Sequence, residues 1–228
     1  GLGDVYKRQI IRLLNEEPIQ YILKTTSFYG LEFICTPSAL IPRSETEELV
    51  DWIIKSERNK ISILDIGTGT GCISVSLANH NSFEVDALDV SSSALDLAKQ
   101  NAKINKVDVN FIEADIFEYK SNKKYDLIVS NPPYVRNLEK KKMQNNVLNF
   151  EPELALFVED DDPLVFYRAI LKFAHNTLVE KGKIYFEINE CLYTEMKALL
   201  ISNGYVDIGL KKDFFGKYRF ISGIKADS

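Results

Sequence analysis

Cysteine and histidine are scarce in this chain. Its 228 residues include three cysteines, at positions 35, 72 and 191, and two histidines. The cysteines stand far apart, with no Cys-x-x-Cys pair and no mixed Cys/His cluster. This scarcity argues against a metal site and against a disulfide framework. It is also typical of a reducing compartment, so we expect a cytoplasmic protein.

Long apolar runs and an excess of basic charge are lacking as well. No run is long enough to span a membrane and no signal peptide is visible, so no membrane partner is expected. The formal net charge of −5 argues against binding nucleic acid through an overall positive field. Because the chain begins Gly-Leu-Gly instead of Met, we expect a truncated or non-native start and give residues 1–8 no functional weight.

From residue 61 onward, β-type apolar runs alternate with helical patterns. Strands are predicted at ISILDI, EVDALDV, VNFIEAD, YDLIVSN and KIYFEIN, and the helix before the last of these is expected to end at Gly182. Two final runs separated by Phe215-Gly216 predict a terminal hairpin. Alternating βα units build a mostly parallel sheet. We therefore predict an α/β fold, a doubly wound Rossmann-like seven-stranded sheet with a C-terminal antiparallel hairpin.

The first 43 residues follow a different pattern. Residues 9–15 are typical of the last turns of a helix, and aromatic β-type runs around Gly30 predict a small β-hairpin within residues 18–43. Ser44, with Glu47 three residues later, predicts a capping box that begins a helix. The main domain is therefore expected over residues 44–228.

A glycine-rich loop follows the first strand of the alternating region. It is not a dinucleotide fingerprint, because Cys72 stands where the third glycine is needed, and it is not a P-loop, because no Gly-Lys-Ser/Thr follows. Its glycines let the backbone approach a ligand closely. An acid just before such a loop would suit a cationic amine better than a pyrophosphate. The candidate residues are Asp65, Gly67, Thr68, Gly69, Thr70 and Gly71.

Carboxylates also end the next two strands. Asp89 can accept from both hydroxyls of a ribose, and Asp115 can accept from an exocyclic amine. Together with the loop they indicate a nucleoside with a positively charged tail and no phosphate, and S-adenosylmethionine fits that description. The alternative is that these residues are ordinary turn and cap residues, as each often is alone.

The tetrapeptide Asn131-Pro132-Pro133-Tyr134 follows the fourth strand, where a doubly wound sheet holds its ligand. An amide oxygen and a backbone carbonyl, with no competing proline N–H, match the two donors of a planar –NH₂ group. The ring of Tyr134 can pack on the flat group that carries this nitrogen. Such acceptors favour moving the lone pair toward an incoming methyl. Alone, the tetrapeptide fits adenine, glutamine or a merely rigid turn.

Six stretches carry a family resemblance in the family's order. They are PIQYI (18–22), FYGLEF (28–33), LIPRSETEELV (40–50), LDIGTGTGCISVSLA (64–78), SNPPYV (130–135) and FEPELALF (150–157). In them the chain resembles the class I S-adenosylmethionine-dependent methyltransferases that modify glutamine N5 of peptide chain release factors. The resemblance implies class 1 release factors, methylated in their Gly-Gly-Gln motif, as partners. It also implies that residues 1–17 are the remnant of an N-terminal helical domain.

The resemblance implies roles for particular residues. The implied cofactor contacts are the loop residues with Asp89, Asp115, Ile116 and Asn131. The implied catalytic residues are Asn131, Pro132 and Tyr134, and the glutamine would be held by Asn131, Pro132, Pro133 and Tyr134. Three further residues are candidates for the substrate side of the site. Phe28 could wall the glutamine pocket, although aromatic residues in a hairpin are more often core. Arg43 could hold an acid near the site or be a surface arginine, and Glu151 could steady the active-site loop or be a solvated glutamate.

Two other functions are weighed against this one. An adenine-N6 nucleic-acid methyltransferase would use the same type of tetrapeptide, but it needs a basic groove or a target-recognition segment. The acidic balance and the lack of spare chain count against it. A non-catalytic cofactor-binding module is the other alternative, and the presence of every expected site residue counts against that.

Overall fold

The computed structural model describes residues 2–57, 59–80 and 83–227. Its first elements are helices α1 (Leu2–Leu14) and α2 (Ile19–Leu23), followed by strands β1 (Thr25–Phe28) and β2 (Leu31–Ile34). The strands pair antiparallel across Tyr29 and Gly30, which both have positive φ angles, as a tight hairpin turn requires. The predicted N-terminal hairpin is confirmed. The assignment of residues 1–17 to a separate helical domain stays a prediction.

The main part of the chain alternates helices and strands. The elements up to the fourth long strand are α3 (Ser44–Ser56), β3 (Ile61–Ile66), α4 (Cys72–Ala78), β4 (Phe83–Asp89), α5 (Ser92–Ile104), β5 (Asn110–Glu113) and β6 (Tyr125–Ser130). A connection follows that holds β7 (Val135–Arg136), α6 (Asn145–Phe150), β8 (Phe157–Val158) and two 3₁₀ turns. The last elements are α7 (Val165–Thr177), β9 (Leu178–Glu187), α8 (Tyr193–Ser202), β10 (Tyr205–Lys212) and β11 (Tyr218–Lys225).

One seven-stranded sheet carries these helices on both faces. Its strand order is β10-β11-β9-β6-β3-β4-β5. Strands β9, β6, β3, β4 and β5 run parallel, β11 pairs antiparallel with β9, and β10 pairs antiparallel with β11. This is the predicted doubly wound sheet with its antiparallel C-terminal hairpin. The chain reverses its direction across the sheet between β3 and β6, so the ligand crevice is expected beyond their carboxyl ends.

The core lies in two layers, one on each face of the sheet. Successive residues of a strand point to opposite faces. Accordingly, Ile63 of β3 packs with apolar residues of α3 and α4, whereas Leu64 packs with those of α7 and α8. Both side chains are fully buried, because helices cover both faces of the central strands. In the described residues, no helix has the length and apolar character that a membrane span requires.

Two boundary predictions were wrong. Arg43 holds the extended N-cap position of α3, and Ser44 is already helical, with its hydroxyl on Glu45 at 3.0 Å, so no Ser44–Glu47 capping box forms. Helix α7 ends at Thr177, five residues before Gly182, because Leu178 pairs with Tyr125 of β6 and continues as strand β9. Sheet pairing thus overrides the helical pattern of residues 178–182.

Candidate active site

A cavity of about 210 Å³ opens beyond the carboxyl ends of β3, β4 and β6, at the reversal point of the sheet. The predicted residues that line it are Arg43, Gly67, Thr68, Gly69, Thr70, Asp89, Asp115, Ile116, Asn131, Pro132 and Pro133. They come from five separate segments of the chain. The fold therefore brings together most of the predicted cofactor and substrate residues.

The glycine loop uses its own amide groups to hold its shape. The N–H groups of Gly67 and Thr68 donate to the carbonyl of Leu88, and Gly69 N–H donates to Asp89 at 2.8 Å. Gly67 has φ +73°, and a Cβ added there would meet no atom within 4 Å, so the loop presents bare backbone. Because these N–H groups already donate hydrogen bonds within the protein, the loop is poorly suited to bind a phosphate. Its bare backbone still lets an uncharged nucleoside approach closely.

Asp65 lies behind the loop and does not line the cavity. It is fully buried, and its Oδ2 accepts from the hydroxyl of Thr68 at 2.7 Å. Its Oδ1 has no hydrogen-bond partner among the described residues. Burial raises the pKa of Asp65 to about 7. A buried carboxylate with one unsatisfied oxygen is stabilised by nearby positive charge, such as that of a cationic cofactor tail. Its predicted place beside the cationic amine stays a prediction.

Asp89 ends β4, as predicted, whereas Asp115 follows the neighbouring strand β5, which already ends at Glu113. Asp89 accepts from Gly69 N–H and from Ser91 N–H at 2.9 Å, one on each oxygen, and burial raises its pKa. Each carboxylate oxygen keeps a further lone pair that could accept from a hydroxyl. Asp115 accepts from the N–H of Phe117 at 2.9 Å and is more exposed. Beside it, Ile116 contributes an apolar wall.

Asn131 leaves the end of β6 and faces the cavity. Its amide nitrogen donates to the hydroxyl of Thr46 at 3.4 Å. Pro132 and Pro133 also line the cavity, so this corner carries no N–H that would compete for an acceptor. The end of β6 is tied to the end of β3 by the Ser130 hydroxyl, which donates to the carbonyl of Ile66 at 2.6 Å.

Three predicted substrate residues, Phe28, Tyr134 and Glu151, do not line the cavity. Phe28 is 1% exposed and packs edge-to-face on Phe33, so of its two predicted places the structure shows the core and not the cavity wall. This burial follows because the hairpin packs against α5 and contributes Phe28 and Phe33 to the core layer that includes residues of α3 and α4. Tyr134 is absent from the lining, and its hydroxyl donates to Glu187 at 2.9 Å. Burial holds the pKa of Tyr134 well above its usual range.

Arg43 and Glu151 form an ion pair beside the cavity. The guanidinium of Arg43 donates to Glu151 at 2.6 Å, and the backbone N–H of Ile41 donates to the other carboxylate oxygen at 3.1 Å. Glu151 is buried, whereas Arg43 is one-third exposed. The pair fastens the segment before α3, which lies over the cavity, to the end of α6. Direct contact of either residue with a substrate stays a prediction.

Sequence reasoning missed Thr46 and Glu187. Both are 2% exposed, and the Thr46 hydroxyl donates to Glu187 at 2.7 Å. A signal was present for each. Thr46 lies inside LIPRSETEELV, and Glu187 ends a strand at the same edge of the sheet as Asn131. Two apolar residues of the cavity wall were missed too: Leu154 lies in the connection after β6, which has no regular pattern, and Phe166 lies in the first turn of α7.

The cavity has the features that S-adenosylmethionine requires. A bare glycine backbone and strand-end carboxylates for hydroxyl and amine donors line it and fit a nucleoside. Behind the loop, buried Asp65 with its unsatisfied oxygen would favour a cationic tail nearby. The residues that would hold it are Gly67, Thr68, Gly69 and Thr70 of the loop with Asp89, Asp115 and Ile116. Gly71, which was also predicted, does not line the cavity and faces Ala98 of α5. In the described residues, no group of acidic, histidine or cysteine side chains could hold a metal ion.

Comparison with known proteins agrees with this geometry. Residues 45–151 match the family model of the methyltransferase small domain. A release factor glutamine methyltransferase of Flavobacterium psychrophilum is 51% identical over 219 residues, covering 93% of this chain and 77% of that protein. One of Bacteroides thetaiotaomicron is 46% identical, covering 93% and 78%. A solved methyltransferase from Pyrococcus furiosus shares the fold, with a TM-score of 0.66 at 20% identity over 96% of this chain and 99% of that one.

The fold and the site therefore define an S-adenosylmethionine-dependent methyltransferase of class I. The extent and identity of the sequence matches go further, and the chain belongs to the release factor glutamine methyltransferase family. The predicted fold, cofactor and family resemblance are confirmed.

Proposed function

We propose that this chain transfers a methyl group from S-adenosylmethionine to N5 of the glutamine in the Gly-Gly-Gln motif of class 1 peptide chain release factors. The observation that carries the proposal is the place of Asn131. Its side chain borders the same cavity as the glycine loop, and its amide nitrogen is turned to Thr46. Family membership supports glutamine over adenine as the acceptor.

For this reaction the active site must make the amide nitrogen of the substrate glutamine nucleophilic. S-adenosylmethionine supplies an electrophilic methyl group on a sulfonium. Asn131 Oδ1 and a carbonyl of the Pro-Pro corner would accept the two N–H bonds of the glutamine and hold its nitrogen toward that methyl. Such acceptors stabilise the charge that develops on nitrogen, and they matter most in the transition state. The N–C bond forms as the S–C bond breaks, and the surplus proton leaves the methylated nitrogen to water.

A second depression supports a peptide substrate. It has a volume of about 690 Å³, and it shares Ile41 and Arg43 with the cofactor cavity. Its other walls include Gln20, Asn145 and Glu151, so it offers hydrogen-bonding groups to a backbone. In the proposal, residues that flank the target glutamine lie in this depression. The enzyme would act in the cytoplasm, without direct contact to nucleic acid.

The test is transfer of labelled methyl to a class 1 release factor and to the same factor with its Gly-Gly-Gln glutamine changed to alanine. Label should appear only on the first. Label on both, or only on added DNA or RNA, contradicts the proposal and favours another acceptor. Asn131→Ala should lower the rate at least about 100-fold, the loss typical of one oxyanion-type contact. Its affinity for S-adenosylmethionine, measured by calorimetry, should stay within about threefold of the unchanged protein.

A further inference from the structure

Asn131 is the end of a chain of hydrogen bonds that runs into the protein. Its Nδ2 lies 3.4 Å from Thr46 Oγ1, and Thr46 Oγ1 lies 2.7 Å from Glu187 Oε2. The hydroxyl of Tyr134 donates to Glu187 Oε1 at 2.9 Å. These residues come from the first turn of α3, the end of β9 and the segment after β6. The hydrogen bonds therefore join three parts of the fold around the cavity.

The hydrogen bonds of this series run in one direction, because its side chains differ in the number of protons that they can donate. An ionised carboxylate can only accept hydrogen bonds, so Thr46 donates its single hydroxyl proton to Glu187. Toward Asn131 it then has only lone pairs, and it must accept. The amide nitrogen of Asn131 is the group that can satisfy it. The amide oxygen is therefore turned the other way, toward the cavity that Asn131 lines.

Positive charge lies close to Glu187, at the buried end of this series of hydrogen bonds. The guanidinium of Arg219 interacts electrostatically with Tyr134 and Glu187, and it is itself held by Asp213 at 3.3 Å. Burial raises the pKa of Glu187, while its hydrogen bonds with Thr46 and Tyr134 and the charge of Arg219 oppose this. The geometry matches an accepting carboxylate, because Oε2 of Glu187 accepts from Thr46 and Oε1 accepts from Tyr134.

We propose that Thr46 and Glu187 are positioning residues that fix the Asn131 amide with its oxygen toward the substrate. The two faces of an amide side chain have nearly the same shape, so packing alone does not choose between them. A flipped Asn131 would point its –NH₂ at the –NH₂ of the substrate, two donors face to face. The consequence for catalysis rests on the proposed function, but the orientation of the amide does not.

Paired variants of Thr46 test the proposal. Thr46→Ser keeps the hydroxyl, and Thr46→Val keeps the shape without it. For methyl transfer to a release factor, Thr46→Val should lower kcat about 10- to 100-fold, with KM and the Kd of S-adenosylmethionine changed less than threefold. Thr46→Ser should stay within about threefold of the unchanged enzyme. Each variant is assayed well below its measured Tm, because Thr46→Val also removes a donor from buried Glu187.

A second readout needs no substrate. The Asn131 side-chain –NH₂ gives a pair of ¹H–¹⁵N signals, assigned by their loss in Asn131→Ala. They should shift in Thr46→Val, stay near their position in Thr46→Ser, and broaden or double in Glu187→Gln, whose amide can donate to Thr46 as well as accept. Unmoved signals in Thr46→Val, or equal loss of kcat in the Ser and Val variants, would overturn the inference.

A double variant separates positioning from a general loss of structure. If Thr46 acts through Asn131, Thr46→Val added to Asn131→Ala should lower kcat no further than Asn131→Ala alone. A multiplicative loss would show that Thr46 acts by another route and would overturn the inference. Failure of the unchanged enzyme to methylate the release factor would instead reject the proposed function, and the amide signals would still decide the orientation of Asn131.

Discussion

Replacing Asp65 by asparagine should change how folding stability depends on pH. Burial raises the pKa of Asp65 from an ordinary 3.8 to about 7. Above pH 3.8 the unfolded chain releases this proton while the folded protein keeps it, so stability falls as pH rises and levels off above pH 7. At about 1.36 kcal/mol per pH unit, the loss reaches about 4 kcal/mol at pH 8. Of this, about 2 to 3 kcal/mol is lost between pH 5 and pH 8.

Asp65→Asn has nothing to titrate at this position and should escape that loss. The stability of the unchanged protein relative to the variant should therefore fall by about 2 to 3 kcal/mol from pH 5 to pH 8. In a chain of this length that is a change of about 5 to 10 °C in the difference between their Tm values. Thermal unfolding of the cofactor-free proteins, followed by circular dichroism, measures it. If the Tm values of the two proteins changed in parallel with pH, the reasoning would be refuted. Asp96→Asn is the control for the loss of a carboxylate, because Asp96 on α5 is exposed.

The cofactor should reverse the effect. A cationic tail bound near the loop favours the ionised carboxylate, so saturating S-adenosylmethionine should remove most of the pH-dependent difference. By the same linkage, cofactor affinity should rise about tenfold from pH 5.5 to pH 7.5 in the unchanged protein and stay nearly constant in Asp65→Asn. Equal pH dependence of the Kd in both proteins would show that Asp65 does not sense the cofactor.

Three further sets of variants have expected outcomes. Arg43→Ala leaves buried Glu151 without its cation and should lower stability by about 2 to 3 kcal/mol in urea unfolding, whereas Arg43→Ala combined with Glu151→Gln should recover part of it. Gly71→Ala should lower stability more than Gly67→Ala. Both glycines have φ near +75°, but only at position 71 would the new Cβ lie 3.1 Å from the Cβ of Ala98 on α5. A larger loss of stability in Gly67→Ala would contradict this packing. Phe28→Leu should lower Tm and leave the KM for release factor unchanged, and a raised KM at unchanged stability would restore Phe28 to the substrate pocket.

Local patterns in the sequence were enough to predict most of the fold. Buried strands alternate with helices because each strand is covered on both faces, and this leaves continuous apolar runs. The glycine loop and Asn131 could be placed from their neighbours alone, since each follows such a run and parallel strands bring their carboxyl ends to one edge. The end of α7 could not be placed in this way, because pairing with β6 decides that residue 178 is strand.

The sequence by itself determined the class of fold, the kind of cofactor and the edge of the sheet where both motifs meet. Tertiary structure alone decided which side chains reach the cavity. It buried Phe28, turned Tyr134 to Glu187 and set Asp65 behind the loop. It also joined Thr46 to Glu187 across 141 residues and Arg43 to Glu151 across 108. Contacts at such separations depend on how helices pack on the sheet, and no local spacing of residues encodes them.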